Sequence, residues 1–157
     1  MAAVRQIITE KDPLLREKAQ DVRRFGRPLN NLLDDMKVTL YRAEGVGLAA
    51  PQIGISKRVV VVDDREHGYL EMINPVILAQ SGSAEAVEFC LSVPERGGRV
   101  IRTTEIMVKF QDRDEREHVM EAKDLLARIF QHEIDHLDGR LFTDIMVAEV
   151  REEKENV

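Results

Sequence analysis

The chain of 157 residues has a single cysteine, no tryptophan, and only five phenylalanines and two tyrosines. One thiol cannot form an intramolecular disulfide, so stability must come from a packed apolar core, and a reducing compartment fits. A lone thiol is either a small buried hydrophobe or a ligand or nucleophile, and composition leaves both readings open. Long apolar runs are also missing. No segment approaches the roughly 20 apolar residues of a membrane span. The opening stretch MAAVRQIITEKDPLLREKA lacks the apolar region of a secretory signal. A cytoplasmic protein without membrane contact is therefore expected. Basic excess is absent as well, because the formal net charge is −6. A domain that grips nucleic acid over a broad surface usually carries a basic face, so no sequence-specific nucleic-acid partner is expected. Repeats, low-complexity stretches and linkers are lacking, which argues for one domain over residues 1–157. What is present, 43% hydrophobic and 33% charged residues, is ordinary for a globular protein.

Asp12-Pro13 opens a short helical pattern, with Asp12 as N-cap and Pro13 at the first helical position. From about Pro28 the residues Leu29, Leu32, Leu33, Met36 and Leu40 recur at helical spacing until Gly45. A small, glycine-rich segment follows, Gly45 to Gly54 (GVGLAAPQIG). Arg58–Val62 is a continuous β-branched run and reads as a buried strand. Residues 70–78, 84–91 and 100–112 read as further strands, and 117–121 can pair with the last across a polar turn. Residues 123–137 are helical and apolar on most sides, as expected of a helix buried in the middle of a domain. The stretch from about 143 to 157 is expected to be a C-terminal helix with a charged tail that frays. Strands in runs, with few helices and no βαβ alternation, predict an α+β architecture.

The buried helix carries His132-Glu133-Ile134-Asp135-His136, an HExxH pattern. Residues four apart share a helix face, so both imidazoles can reach one ion. Glu133 lies about 100° round the helix from His132, where it can flank the ion and take a proton from water. The bland alternative is a helix with two partly exposed histidines and a solvated glutamate. Burial of the same helix weighs against that, because buried histidines need polar partners. A catalytic site of this type requires a third protein ligand. No histidine follows His136, and the glutamates at 149, 152, 153 and 155 fall in a charged tail. Upstream, Cys90 closes a predicted strand in Glu88-Phe89-Cys90-Leu91-Ser92, and thiolate is a strong ligand for zinc or ferrous iron.

Three segments in this order, GVGLAAPQIG (45–54), EFCLS (88–92) and QHEIDHLDG (131–139), resemble the three motifs of peptide deformylase, and DPLLREKA is similar to that family's opening helix. The resemblance covers nearly the whole chain. It implies an α+β fold with antiparallel β-sheets around the HExxH helix. It also implies removal of the formyl group from the N-terminal methionine of newly made polypeptides. Nothing in the sequence calls for more than a monomer, and transient ribosome association is left open. By the same resemblance Cys90, His132 and His136 hold one divalent ion, Fe²⁺ in the cell, with Zn²⁺, Ni²⁺ or Co²⁺ able to substitute. Glu133 matches the general acid/base, while Gln52 and the backbone N–H of Leu91 match the oxyanion donors. Gly45, Val46 and Gly47 belong to the first motif, where the chain passes close to substrate. Leu125, Ile129 and the stem of Arg128 lie on the His132 side of the helix and are candidates for the methionine pocket, with core packing the alternative.

The departure is Phe89, which stands where the family's second motif has glycine. A ring there can narrow the entrance, reshape the donor at Leu91, or point away. Three further readings remain open. One is a deformylase-like enzyme of altered range; another is a HExxH metallopeptidase with a downstream glutamate ligand. The third is a peptide binder without turnover, against which Glu133 and Gln52 speak.

Overall fold

The structure, a computed structural model, describes residues 2–151. Helix α1 spans Arg27–Arg42 and helix α2 spans Asp124–Leu137. The strands are β1 (Gly47–Ala49), β2 (Val59–Asp63), β3 (Tyr69–Ser81), β4 (Ala84–Cys90), β5 (Val93–Arg102), β6 (Glu105–Gln111), β7 (Glu117–Lys123) and β8 (Ala148–Arg151). They form a five-stranded sheet in the order β1-β2-β3-β6-β7 and a three-stranded sheet in the order β4-β5-β8, antiparallel throughout. The expected α+β architecture is observed.

The β-branched run of β2 is explained by burial on both faces. Val60 and Val62 pack in one cluster with Leu126, Ala127 and Phe130 of α2. Val59 and Val61 pack in another with Leu33, Met36 and Leu40 of α1. Each fully buried valine contributes roughly 1.5–3 kcal/mol of transfer free energy. With both faces covered, the usual alternation of apolar and polar residues disappears. Helix α1 is amphipathic as its spacing predicts, and the segment before it starts as Asp12 dictates. The Asp12 carboxylate accepts a hydrogen bond from the Leu14 N–H at 3.0 Å and caps a single 3-10 turn over Pro13–Arg16.

Two expectations are corrected. The stretch 100–112 is not one strand. Thr103 and Thr104 interrupt it, the Thr104 N–H bonds to the Ser81 carbonyl, and the Asp124 N–H bonds to the Thr104 carbonyl. β5 therefore lies in the small sheet and β6 in the large one. Alternation continues across the break, so periodicity could not reveal the change of sheet. Residues 143–157 do not form a helix within the described part. Phe142–Asp144 is a short 3-10 turn, and β8 then pairs with the open edge of β5, Gly97 opposite Val150 and Gly98 opposite Glu149. Val147 and Val150 suit either helix or strand, and the free backbone of β5 decides for the strand. The tail beyond 151 lies outside the described residues.

Candidate metal centre and its pocket

Helix α2 puts His132, Glu133 and His136 beneath the point where the two sheets approach each other. The imidazoles of His132 and His136 lie with ring centroids 5.2 Å apart and planes inclined at 71°. Cys90 reaches them because it shares the inward face of β4 with Glu88, two residues before it. Phe89 pairs with Gly97 but Cys90 pairs with Val93, so residues 94–96 bulge out of β5 where Cys90 closes the hairpin. Donor atoms of Cys90, His132 and His136 all lie within 4.8 Å of one another, and Cys90 Sγ is 3.3 Å from His136 Nε2. Tetrahedral bonds of about 2.0–2.3 Å would place neighbouring N and S donors roughly 3.5 Å apart. One sulfur and two imidazoles within this spread fit a divalent transition metal. Of the alternative third ligands, Glu149 is on β8 and pairs with Arg96 at 2.8 Å, and the glutamates at 152, 153 and 155 lie outside the described residues.

Glu88, two residues before Cys90 on the same strand face, is the principal group that sequence reasoning missed. Its carboxylate accepts from Arg102 Nε at 2.6 Å, from Arg128 at 2.6 Å, and bonds His132 Nδ1 at 2.8 Å. Arg102 also bonds Asp135 of α2 at 2.9 Å. Burial would raise the Glu88 pKa, but His132 and Arg102 outweigh it and hold it at about 2. Glu88 thus stays ionised, fixes the His132 ring by Nδ1 and leaves Nε2 for an ion. Burial lowers the proton affinity of His132, yet the Cys90 sulfur and Glu88 hold its pKa well above the ordinary value. The same negative surroundings favour a cation at Nε2. His136 goes the other way, pushed well below the ordinary value by burial and then by His132.

Glu133 is 4% exposed, and burial pushes its carboxyl up to about 7. Its Oε1 has no hydrogen-bond partner, a rarity for a buried oxygen and consistent with a site meant for water or substrate. Gly47 exists for this carboxylate. A Cβ at Gly47 would stand 2.6 Å from Glu133 Oε2, so only glycine lets β1 pass over the acid. At Gly45 the tight neighbours are the Leu91 and Leu40 side chains. The first-motif glycines therefore fit the protein to itself as well as lining the pocket.

Gln52 is buried, and its carbonyl oxygen accepts from the Ala49 N–H at 2.9 Å. That bond directs the amide nitrogen toward Ser92 Oγ (3.1 Å) and Cys90 Sγ (3.7 Å), so the donor faces the metal centre. Leu91 sits in the turn joining β4 to β5.

A cavity of about 550 Å³ opens above these groups, lined by Gly45, Val46, Gly47, Leu91, Leu125, Arg128 and Ile129 together with His132 and Glu133. All the candidate pocket residues are thus brought together, in different ways. Ile129 is buried and also belongs to the core, whereas Leu125 is 60% exposed and has no core role. Arg128 spends its charge on Glu88 and on the carbonyls of Val100 and Ala84, so only its stem faces the cavity.

A family model described as polypeptide deformylase matches residues 4–152. The chain belongs to the polypeptide deformylase family. The peptide deformylase of Caldicellulosiruptor bescii is 51% identical over 152 residues, covering 97% of this chain and 91% of the other. That of Natranaerobius thermophilus is 49% identical, covering 97% and 98%. The crystal structure of the Thermotoga maritima peptide deformylase superimposes with a TM-score of 0.89 at 40% identity, covering 91% of this chain and 97% of that one. A peptide deformylase from Legionella pneumophila gives 0.89 at 41% identity, covering 92% and 86%. Membership makes the chain a deformylase enzyme with the family's fold, as the three motifs implied, and nothing in the comparisons favours the peptidase or binder readings.

Proposed function

We propose that this deformylase hydrolyses the formamide at the N-terminal methionine of nascent chains, with Cys90, His132 and His136 holding one Fe²⁺ ion and Glu133 moving the proton. The observation that carries the assignment is the meeting of those three donors beside a buried, unpartnered Glu133 oxygen. A divalent ion held by these donors would make hydroxide available near neutral pH, and zinc, nickel or cobalt would fit the same donors. The Glu133 carboxylate accepts the proton released from water and delivers it to the departing amine nitrogen, so one water yields formate and a free α-amine. Gln52 Nε2 and the Leu91 N–H would donate to the oxyanion of the tetrahedral intermediate. The methionine side chain would lie against Ile129, Leu125 and the Arg128 stem. β1 and β4 are edge strands on either side of the cavity, so an extended peptide can pair with their free backbone groups.

Release of formate from formyl-Met-Ala-Ser by iron- or cobalt-loaded protein, slowed at least about 10²-fold by Glu133→Gln, is the expected result. No release at full metal occupancy would sink the reading. A cytoplasmic monomer fits this role, and among the described residues no helix is long and apolar enough to cross a membrane. Transient approach to the ribosome is supported by exposed Lys18, Arg23, Arg24 and Lys57, which line one open groove whose two carboxylates, Asp21 and Asp138, are engaged by Arg58. Co-sedimentation with ribosomes that weakens steeply with salt would bear this out.

A further inference from the structure

The position at which this chain departs from its family's motif has a specific structural partner. Phe89 pairs with Gly97 across β4 and β5, and its ring rests over that glycine. A Cβ at Gly97 would meet ring atoms Cδ1 and Cζ at 2.8 and 2.9 Å, so the ring fills space that any other residue at 97 would occupy. Seated there, the ring does not enter the metal centre. Alternation along β4 sends Glu88 and Cys90 inward and leaves Val87 and Phe89 on the opposite face. Phe89 is 51% and Val87 38% exposed, and both line the mouth of the cavity. Val46 and Leu125 face the same cavity, also exposed. Exposed large side chains scattered singly need no explanation, but several around one cavity mouth mark a surface that something apolar covers.

The formyl carbon must reach Glu133 and Cys90 at the cavity floor, so the residues that follow the methionine lead outward along the free edge of β4. Side chains of an added strand stand beside those of the strand it joins. One of the first two residues after the methionine then lies against Phe89. Resting on the deformylase reading above, we propose that Phe89, seated on Gly97 and flanked by Val87, is a specificity-determining shelf that selects an apolar side chain immediately downstream of the formyl-methionine.

The test compares kcat/KM of the metal-loaded enzyme on formyl-Met-Leu-Leu and formyl-Met-Ser-Ser. The leucine peptide is expected to be favoured about tenfold, as for burial of a few methylenes at a pocket. Most of the difference should appear in KM, because contacts remote from the reacting carbonyl serve ground and transition states alike. In Phe89→Gly the ratio should fall to within about twofold. Gly97→Ala, which displaces the ring while leaving Phe89 in place, should lower it as well, with metal content and circular dichroism reporting integrity of either variant. Equal rates of the wild type on both peptides, or a preference that survives both substitutions, would overturn the shelf and leave deformylation intact. No deformylation of either peptide at full metal occupancy would instead bring down the underlying reading, and the shelf with it.

Discussion

The floor and the mouth of the cavity are built on opposite principles. At the floor the polar groups are buried and interlocked: Glu88 joins Arg102, Arg128 and His132, Arg102 joins Asp135, and Gln52 is aimed by the Ala49 N–H. At the mouth the side chains are apolar, exposed and come from three places in the chain, Val46, Val87 with Phe89 on β4, and Leu125. The floor must hold donors at fixed positions for one reaction, and a network in a low-dielectric interior does so only if every member is satisfied. The mouth meets the part of the polypeptide that varies, and non-directional apolar surface there favours apolar side chains without fixing their geometry. Substitutions should therefore be severe and specific below, mild and substrate-dependent above.

The largest expected effect comes from removing the ion or a ligand. Chelation, or Cys90→Ser, should empty the centre and abolish formate release, measured together with metal content by elemental analysis. Glu133→Gln should retain metal and lower kcat by about 10²–10⁴-fold; a variant within threefold of wild type would refute its role. Glu88→Ala leaves Arg102 with Asp135 alone and Arg128 with two carbonyls and no carboxylate, and frees His132. A stability loss of roughly 3–5 kcal/mol in denaturant titration is expected, with metal affinity about 10–100-fold weaker. At the mouth, Leu125→Ala should change stability by less than about 0.5 kcal/mol while raising KM severalfold. A loss of stability like that at Glu88 would erase the contrast between floor and mouth.

The smallest effect contrasts the long-range network of Glu88 with a purely local one. Asp64 is also held at about 2, where burial is outweighed by the N–H and ring of His67 and the N–H of Glu66. Asp64 in turn raises His67. The contribution of Asp64 is present above its unfolded value near pH 4 and fades as pH falls through about 2. That of His67 is present below about pH 6.5 and is lost as pH rises through its folded value. Asp64→Asn should lower the His67 pKa in an NMR titration and leave formate release unchanged.

The two candidate histidine ligands, the glutamate between them and the glycine-rich first segment were legible because each is a short local pattern, and Cys90 was singled out by the need for a third ligand. The roles of Glu88 and Arg102 were less so. Glu88 carries a hint, since i and i+2 on a strand share a face and Cys90 was already suspect. Arg102 carries none, because its pairing with Glu88 spans fourteen residues and depends on how β4 and β5 turn back on each other. The expected C-terminal helix failed for a related reason, as the edge of β5 offers hydrogen bonds that no local propensity can register. Arg128 lines the cavity, yet its charge is spent on Glu88 and two carbonyls.

Phe89 brings both sides of this division together. The sequence alone determined that an aromatic ring stands one residue before the sulfur, and that the helix at 132–136 carries two donors and a base, because motif chemistry is local. Whether the ring blocks the centre or borders it was decided only by tertiary structure. Phe89 and the missing side chain at Gly97 lie on different strands, and strand register, a long-range property, is what brings them into contact.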